Sequence, residues 1–163
     1  MRRQPPLPPA LRDGNYPRWN LELVERYPRA LAEMRSPSRP LGYVDTRPLA
    51  RWGIEVRAGW RGLVERTLAR LEAEIAAQPL EQQAQFRVVD IKAKFGRLTI
   101  HLEASGTATM EAAIHDAFEE SARLCEVCSA PGELAERGPT GWWSTRCRNH
   151  EDWSPHDEAA RLN

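Results

Sequence analysis

The sequence predicts an α+β protein in which a short antiparallel β-sheet is packed by two main helices, followed by a C-terminal segment rich in cysteine. Three patterns support this expectation: a helical periodicity over residues 60–75, a strand-like alternation over 86–102, and a second helical periodicity over 110–124. With 163 residues, the chain is long enough for one domain with a single modest core.

The two main helices are predicted from apolar residues spaced three or four positions apart. Gly59 precedes the first helix and Pro79 follows it, which bounds the pattern at both ends. The apolar positions of the first helix are Trp60, Leu63, Val64, Leu68, Leu71 and Ile75. Those of the second are Met110, Ile114, Ala117, Phe118 and Leu124. Both stripes are typical of helices that pack on a core.

A β-hairpin is predicted between the helices. Residues 86–95 are rich in β-branched and aromatic side chains, and residues 98–102 alternate between apolar and polar. Gly96-Arg97 is the predicted turn. One face of the hairpin is expected to pack on the helices, while Lys92 and Lys94 lie on the other face.

Cys125-x-x-Cys128 and Cys147-x-x-His150 form two ligand pairs with matching internal spacing. The stretch between them contains glycines and prolines, which predicts a strand pair that brings the two pairs together. Three sulfur ligands and one imidazole favour Zn²⁺ over harder ions. Since the protein fills all four positions, the predicted role is structural. His156 remains an alternative to His150 as the fourth ligand.

The chain is then predicted to divide into five parts. Residues 1–15 form a mobile, proline-rich arm, and 16–51 form an N-terminal helical extension and connector. Residues 52–124 form the α+β core, 125–153 form a zinc-ribbon-like knuckle, and 154–163 form a tail.

The location of the protein follows from its cysteines and its N-terminus. Three cysteines, all in the last quarter of the chain, fit a metal site better than a disulfide framework, so a reducing cytoplasm is expected. The N-terminus lacks the apolar stretch of a secretory signal, and no stretch is apolar enough to span a membrane.

A second interpretation of the cysteines is a zinc-dependent nucleobase deaminase. His101-Leu102-Glu103 with Cys125 and Cys128 resembles the histidine, glutamate and cysteine pair of such enzymes. His101 is predicted to lie in a strand, however, whereas the histidine of the deaminase motif lies at the start of a helix. This alternative would also leave Cys147 and His150 without a role.

A partner-binding surface is predicted around Trp142 and Trp143, because exposed tryptophans often anchor protein recognition. Two adjacent indoles on a strand point to opposite faces, so one or both could instead belong to the core. Lys92, Lys94 and Arg97 form a possible basic patch. The 23 basic and 23 acidic residues balance, which argues against binding driven mainly by nucleic-acid phosphates.

The sequence also resembles a family of small uncharacterised bacterial and phage proteins with a C-terminal zinc knuckle. The resemblance rests on Trp52-Gly53-Ile54-Glu55, Gly59-Trp60, residues 89–98 around Phe95-Gly96, residues 125–132, and Gly141-Trp142 with Thr145, Cys147 and His150. It covers residues 27–150 in order, and it implies no particular activity.

These features together favour a non-enzymatic protein-binding module. The context of the resemblance suggests a stoichiometric inhibitor, such as a toxin-immunity or phage anti-defence protein, with a toxin or a defence component as its partner. The alternative is a nucleic-acid-binding zinc ribbon that uses Arg146, Arg148 and the lysine-bearing strand, with stacking from an exposed tryptophan. A metal-dependent enzyme is the third possibility, and no membrane partner is expected.

Overall fold

The computed structural model describes residues 17–35, 48–138 and 141–152. These residues contain six α-helices: α1 (Arg18–Arg26), α2 (Ala32–Arg35), α3 (Pro48–Trp52), α4 (Arg61–Ala77), α5 (Leu80–Gln83) and α6 (Ala108–Ser121). They also contain four strands: β1 (Val88–Lys94), β2 (Arg97–Leu102), β3 (Glu133–Arg137) and β4 (Trp142–Arg146). The predicted arm at 1–15, the tail at 154–163 and His156 lie outside the described residues.

Helices α4 and α6 are the two main helices that the periodicity predicted. The buried stripe of α4 runs from Leu63 to Ile75, and the helix ends just before Pro79. Helix α6 begins with a cap in which the Thr107 hydroxyl accepts a hydrogen bond from the Met110 N–H (3.3 Å). Glu111 accepts the backbone N–H of Gly106 (2.8 Å), which ties the residue before the cap to the first turn of the helix.

The first sheet is the antiparallel hairpin of β1 and β2, with Ile91 opposite Ile100 and Lys94 opposite Arg97. Its turn is formed by Phe95 and Gly96, so the prediction of Gly96-Arg97 was one residue late. Both turn residues have positive φ (49° and 71°), as in the type I′ turn that joins two-residue hairpins. An aromatic residue is unusual in that position, which is why the sequence pattern misplaced the turn.

The second sheet is the hairpin of β3 and β4, which lies between the two predicted ligand pairs. The described chain is therefore a mixture of helices with two separate two-stranded antiparallel sheets. The predicted α+β class is confirmed at this level.

One hydrophobic cluster forms the core and crosses the predicted boundary between residues 51 and 52. It joins Leu23, Leu31 and Leu49 of the N-terminal segments to Leu68 of α4 and Ile91 of β1. A hydrogen bond also crosses this boundary. The Ile54 N–H donates to the amide oxygen of buried Asn20 (2.8 Å).

The C-terminal segment is attached to the core at two places. At the start of α4, the buried Trp60 indole N–H donates to the Leu124 carbonyl (2.8 Å), and the Gly59 N–H donates to the Glu126 carbonyl (2.9 Å). At the tip of the first hairpin, the Thr145 hydroxyl donates to the Gly96 carbonyl (2.7 Å). These contacts fix the position of the cysteine turn and of β4.

None of the helices in the described part of the chain combines the length and the apolar character that crossing a bilayer requires.

The contact at Gly59 yields a stability prediction with an internal control. A β-carbon at Gly59 would overlap the Cys125 carbonyl oxygen and lie 2.5 Å from that of Glu126, whereas one at Gly62 meets only Arg66 Nη1 at 3.6 Å. We expect Gly59→Ala to lower the free energy of unfolding by about 2 kcal/mol or more, because backbone has to move. Gly62→Ala should raise it by up to about 1 kcal/mol. Chemical denaturation measures both, and equal effects would contradict the close approach.

Candidate metal centre and aromatic surface

The ligand atoms of Cys125, Cys128, Cys147 and His150 form one group, and all lie within 4.8 Å of one another. The Cys128 and Cys147 sulfurs are 3.7 Å apart. Nδ1 of His150 lies 3.7 Å from the Cys125 sulfur and 3.2 Å from that of Cys147. The prediction that these four residues come together is confirmed.

These separations fit donors around an ion. Bonded sulfurs would be about 2.05 Å apart, so the 3.7 Å between Cys128 and Cys147 is not a disulfide. All three cysteines are free thiols. Soft sulfur donors and one imidazole nitrogen are the ligands that bind a transition-metal ion in proteins. The group could therefore hold a metal ion.

The first ligand pair is presented by a tight turn. The Cys125 N–H donates to the Ala130 carbonyl (2.8 Å), and the Ser129 N–H donates back to the Cys125 carbonyl (2.9 Å). Ser129 has a φ of 65°, which lets the chain reverse within this short span. The Ser129 hydroxyl also donates to the Gly59 carbonyl, so the turn is anchored to the core.

The second pair follows β4 directly. After Cys147, a 3₁₀ turn (Arg148–His150) places the imidazole beside the sulfur, and the His150 N–H donates to the Cys147 carbonyl (3.0 Å). The Glu126 N–H donates to the Thr145 carbonyl (2.9 Å), which ties the first pair to β4. The two pairs meet because these backbone bonds join their segments.

The electrostatic environment favours a thiolate at Cys125. Burial alone would raise the pKa of this thiol, but backbone hydrogen bonds at Cys147, Val127 and Cys128 outweigh it and lower the pKa to about 7. The Ala130 backbone lowers the pKa of Cys128, but desolvation and the neighbouring cysteines raise it overall. Cys125 is thus the thiol that releases its proton most readily of these two, and the thiolate is the form that binds metal.

A buried carboxylate next to the centre was missed by the sequence analysis. Glu126 is only 3% exposed, and its Oε1 lies 3.2 Å from Arg57 Nη1 and 3.5 Å from Arg146 Nε. Burial raises the pKa of Glu126, while the two guanidinium groups oppose that shift. No spacing pattern could have revealed this cluster, because Arg57 and Glu126 are 69 positions apart.

The second candidate site is an exposed group of aromatic side chains, here called the aromatic surface: Phe95, Trp142 and Trp143. Phe95 is 72% exposed, Trp142 67% and Trp143 42%. The interpretation that both indoles belong to the core is therefore wrong. Two cavities flank these rings, one of about 550 Å³ that extends to Phe118 and Leu134, and one of about 400 Å³ between the three aromatic residues.

The predicted basic residues contribute unequally to this surface. Lys94 lines both cavities. Arg97 lies over the Phe118 ring, 4.7 Å from its centre, and pairs with Glu119 at 2.9 Å. Lys92 lines neither of these two cavities. Its Nζ lies 2.5 Å from Asp90, whose hydrogen bond raises the pKa of Lys92.

The alternative ligands of the deaminase hypothesis lie elsewhere. His101 Nδ1 is 3.4 Å from the carboxylate of Asp90, and Glu103 is 3.6 Å from Arg87. Within the described residues, the metal-ligand group contains neither His101 nor Glu103. The structure therefore places the three cysteines beside His150 and not beside the ligands that the deaminase hypothesis requires.

Comparison with known proteins found no matching family model, no matching curated protein and no matching solved structure. The resemblance to the bacterial and phage family stays a prediction.

The metal centre can be tested with the two histidines that the sequence left as alternatives. We expect His150→Ala to lower the metal content of protein purified without added metal, and His156→Ala to leave it at one ion per chain. Elemental analysis gives the content, and X-ray absorption of the wild type should show three sulfurs and one nitrogen. Loss of metal in His156→Ala with retention in His150→Ala would contradict the assignment.

Proposed function

We propose that this protein is a non-enzymatic, zinc-stabilised module that binds another protein through the aromatic surface. The observation that carries the proposal is the exposure of Phe95, Trp142 and Trp143 side by side around two apolar cavities. Aromatic side chains are enriched among the residues that dominate binding energy at protein interfaces. Exposed apolar surface of this kind marks interaction sites in folded proteins.

Zinc is the metal that the donor set supports best. A Zn–S bond of about 2.3 Å in a tetrahedron corresponds to sulfurs about 3.8 Å apart, and the Cys128 and Cys147 sulfurs are 3.7 Å apart. Four protein donors complete the tetrahedron, so the ion has a structural role in this proposal. Such a site contributes on the order of 10 kcal/mol of apparent folding free energy.

The conformation of Phe95 supports a functional role for the surface. A bulky residue at φ 49° is a backbone outlier that costs about 1–3 kcal/mol. Asn-Gly or Gly-Gly would form the same turn without that cost. The ring is also the most exposed of the three in the surface, so core packing does not account for it. Binding of a partner to this ring does account for it.

The proposed zinc site and the surface are mechanically linked. Trp142 and Trp143 begin β4, whose last residue precedes Cys147, while Phe95 belongs to the other hairpin. The two hairpins meet where a β-carbon on Gly96 would lie within 3 Å of the Ser144 backbone. Metal binding holds β4 in place, and β4 in turn holds the indoles beside Phe95.

Nucleic-acid binding is the second candidate, because Lys94 lies among rings that could stack on bases. The charges around the surface argue against it. Arg97 and Lys92 are paired with Glu119 and Asp90, and among these three predicted basic residues only Lys94 lacks an ion-pair partner in the described chain. Affinity that depends on phosphate contacts increases with the number of phosphates neutralised, so a single unpaired lysine adds little affinity for nucleic acid.

The resemblance of the sequence gives this proposal a more specific form. A stoichiometric inhibitor, such as a toxin-immunity or phage anti-defence protein, would use such a surface to cover a toxin or a defence component. This form stays a prediction, and the partner's identity is the finding that would test it.

The binding proposal can be tested with an exposed tryptophan outside the surface as the control. We expect Trp142→Ala and Trp143→Ala to abolish capture of a protein partner from the source cells, because each removes an anchor ring. Trp52→Ala, at a residue that is 57% exposed on α3, should capture as well as the wild type. Cross-linking with mass spectrometry measures the capture. Capture that is lost on nuclease treatment and falls steeply with salt would favour nucleic acid instead.

Phe95→Asn separates stability from binding. Asn-Gly is the preferred type I′ turn, so we expect the free energy of unfolding to rise by about 1 kcal/mol. Partner capture should fall at the same time, because the ring is lost. Thermal unfolding and capture on the same samples measure the two effects. A variant that is less stable than the wild type, or that still binds, would contradict the role given to Phe95.

A further inference from the structure

A further cavity, of about 420 Å³, lies beside Cys147 and shares no lining residue with the two cavities of the aromatic surface. A water molecule takes up about 30 Å³, so the cavity has room for a group of a ligand. It is here called the arginine cavity, because three arginines and two glutamates are its charged lining residues: Arg137, Arg146, Arg148, Glu133 and Glu151.

Two of the guanidinium groups converge on one residue. Arg137 Nη1 lies 3.8 Å from the Glu151 carboxylate, and Arg146 Nη1 lies 3.5 Å from the Glu151 carbonyl oxygen. The Arg137 side chain folds back along β3, where its Nη2 donates to the Glu133 carbonyl (3.1 Å). Glu133 is the residue opposite Arg146 in the hairpin. Both guanidinium groups therefore lie at the same end of the second hairpin.

The arginine cavity keeps capacity to donate hydrogen bonds. The Arg137 side chain is only 16% exposed, and its Nε has no hydrogen-bond partner among the described residues. Its distance of 3.8 Å to Glu151 is too long for a hydrogen bond. Arg148 is exposed and forms no ion pair within the described part of the chain. Buried polar groups are nearly always hydrogen-bonded in folded proteins, so Arg137 is suited to an acceptor from a ligand.

The acceptor that fits this cavity best is a carboxylate. Guanidinium groups bind carboxylates and phosphates through paired, charge-assisted hydrogen bonds. The two glutamates in the lining repel a doubly charged phosphate more than a singly charged carboxylate. The Glu151 carboxylate already faces Arg137, and its side chain is 65% exposed, so an incoming carboxylate can displace it towards solvent. We propose that the arginine cavity binds an acidic side chain, Asp or Glu, of the protein that binds the aromatic surface.

The position of the cavity allows one partner to reach both places, and the proposal rests on the proposed function in this respect. Arg137 is opposite Trp142 in the second hairpin, and Arg146 ends the strand that Trp142 begins. Residues four positions apart on a strand share one face and lie about 13 Å apart. A standard interface covers about 800 Å² of each partner, which is a patch about 30 Å across. A partner seated on Trp142 is therefore large enough to reach the arginine cavity.

The cavity is tested first without any partner. Propionate has the chemistry of a glutamate side chain, and propionamide is its neutral isostere. Each is titrated into the full-length protein at constant ionic strength, and the arginine Nε–H signals are followed by NMR. We expect propionate to shift the signal of Arg137 and to leave that of Arg66, which pairs with Glu120 outside the cavity. Propionamide should shift neither signal.

Three variants separate the cavity from general effects of charge. Arg137→Gln should weaken propionate binding about tenfold or more, because it removes the guanidinium that faces Glu151. Glu151→Gln should strengthen it about twofold or more, because the carboxylate of the chain no longer competes. A variant that gains affinity is also folded. Glu136→Gln removes the same charge from the same hairpin outside the cavity, and it should bind propionate as the wild type does.

The assignment to the partner is tested by capture from the source cells. We expect Arg137→Gln and Arg148→Gln to weaken capture of the protein partner about fivefold or more, since each removes a cation that faces the acidic side chain. Arg66→Gln, which removes an exposed arginine outside the cavity, should capture as well as the wild type.

The carboxylate site is overturned if propionate and propionamide shift the Arg137 signal equally, or if neither shifts it. Propionate binding together with undiminished capture by Arg137→Gln and Arg148→Gln overturns the assignment to the partner. A short single-stranded DNA that binds more tightly than propionate and depends on the same two arginines overturns the preference for a carboxylate. In each case, capture of a protein that still depends on Trp142 leaves the proposed function standing, so the two failures are distinguishable.

Discussion

The backbone of Gly59 lies against the carbonyl groups of Cys125 and Glu126, and the rest of the C-terminal half depends on this contact. Two hydrogen bonds, from Gly59 N–H to Glu126 and from the Trp60 indole to Leu124, accompany it. The start of α4 and the cysteine turn lie so close together that there is no room for a side chain at Gly59. These contacts with the core therefore fix the orientation of the cysteine turn.

The two hairpins of this protein are too small to be stable alone, because an isolated two-stranded sheet is marginal in water. The first hairpin packs on α6 and the core, and Leu98 N–H donates to the Ser121 hydroxyl of that helix (2.9 Å). The second hairpin has few buried apolar residues. It depends on Gly96, on the Glu126–Arg146 pair and on the Cys/His group. A metal site at its base is an economical way to hold it.

The aromatic surface arises where the two hairpins meet. Phe95 comes from the tip of one, and Trp142 and Trp143 come from the start of the last strand of the other. A surface built across two elements keeps its shape only while both are fixed. The proposed binding role therefore connects the core contact at Gly59, the metal-ligand group and the exposed rings in one chain of dependence.

Much of this could be predicted from the sequence because it rests on local spacing. The helical periods of α4 and α6, the alternation of β2 and the paired Cys-x-x-Cys and Cys-x-x-His spacings are all set by residues close together in the chain. The predicted position of the first hairpin's turn was wrong because Phe95 adopts a conformation that its residue type disfavours. Contacts in the folded protein compensate for this unfavourable backbone conformation, and local residue preferences do not include those contacts.

The sequence by itself determined the fold class, the two main helices and the four residues of the metal-ligand group. Only the tertiary structure decided that Arg57 and Arg146 flank Glu126 and that Lys92 forms an ion pair with Asp90. It also decided that both indoles face solvent beside Phe95. The physical reason is distance along the chain. Contacts between residues tens of positions apart depend on how helices and hairpins pack, and no periodic pattern in the sequence records that packing.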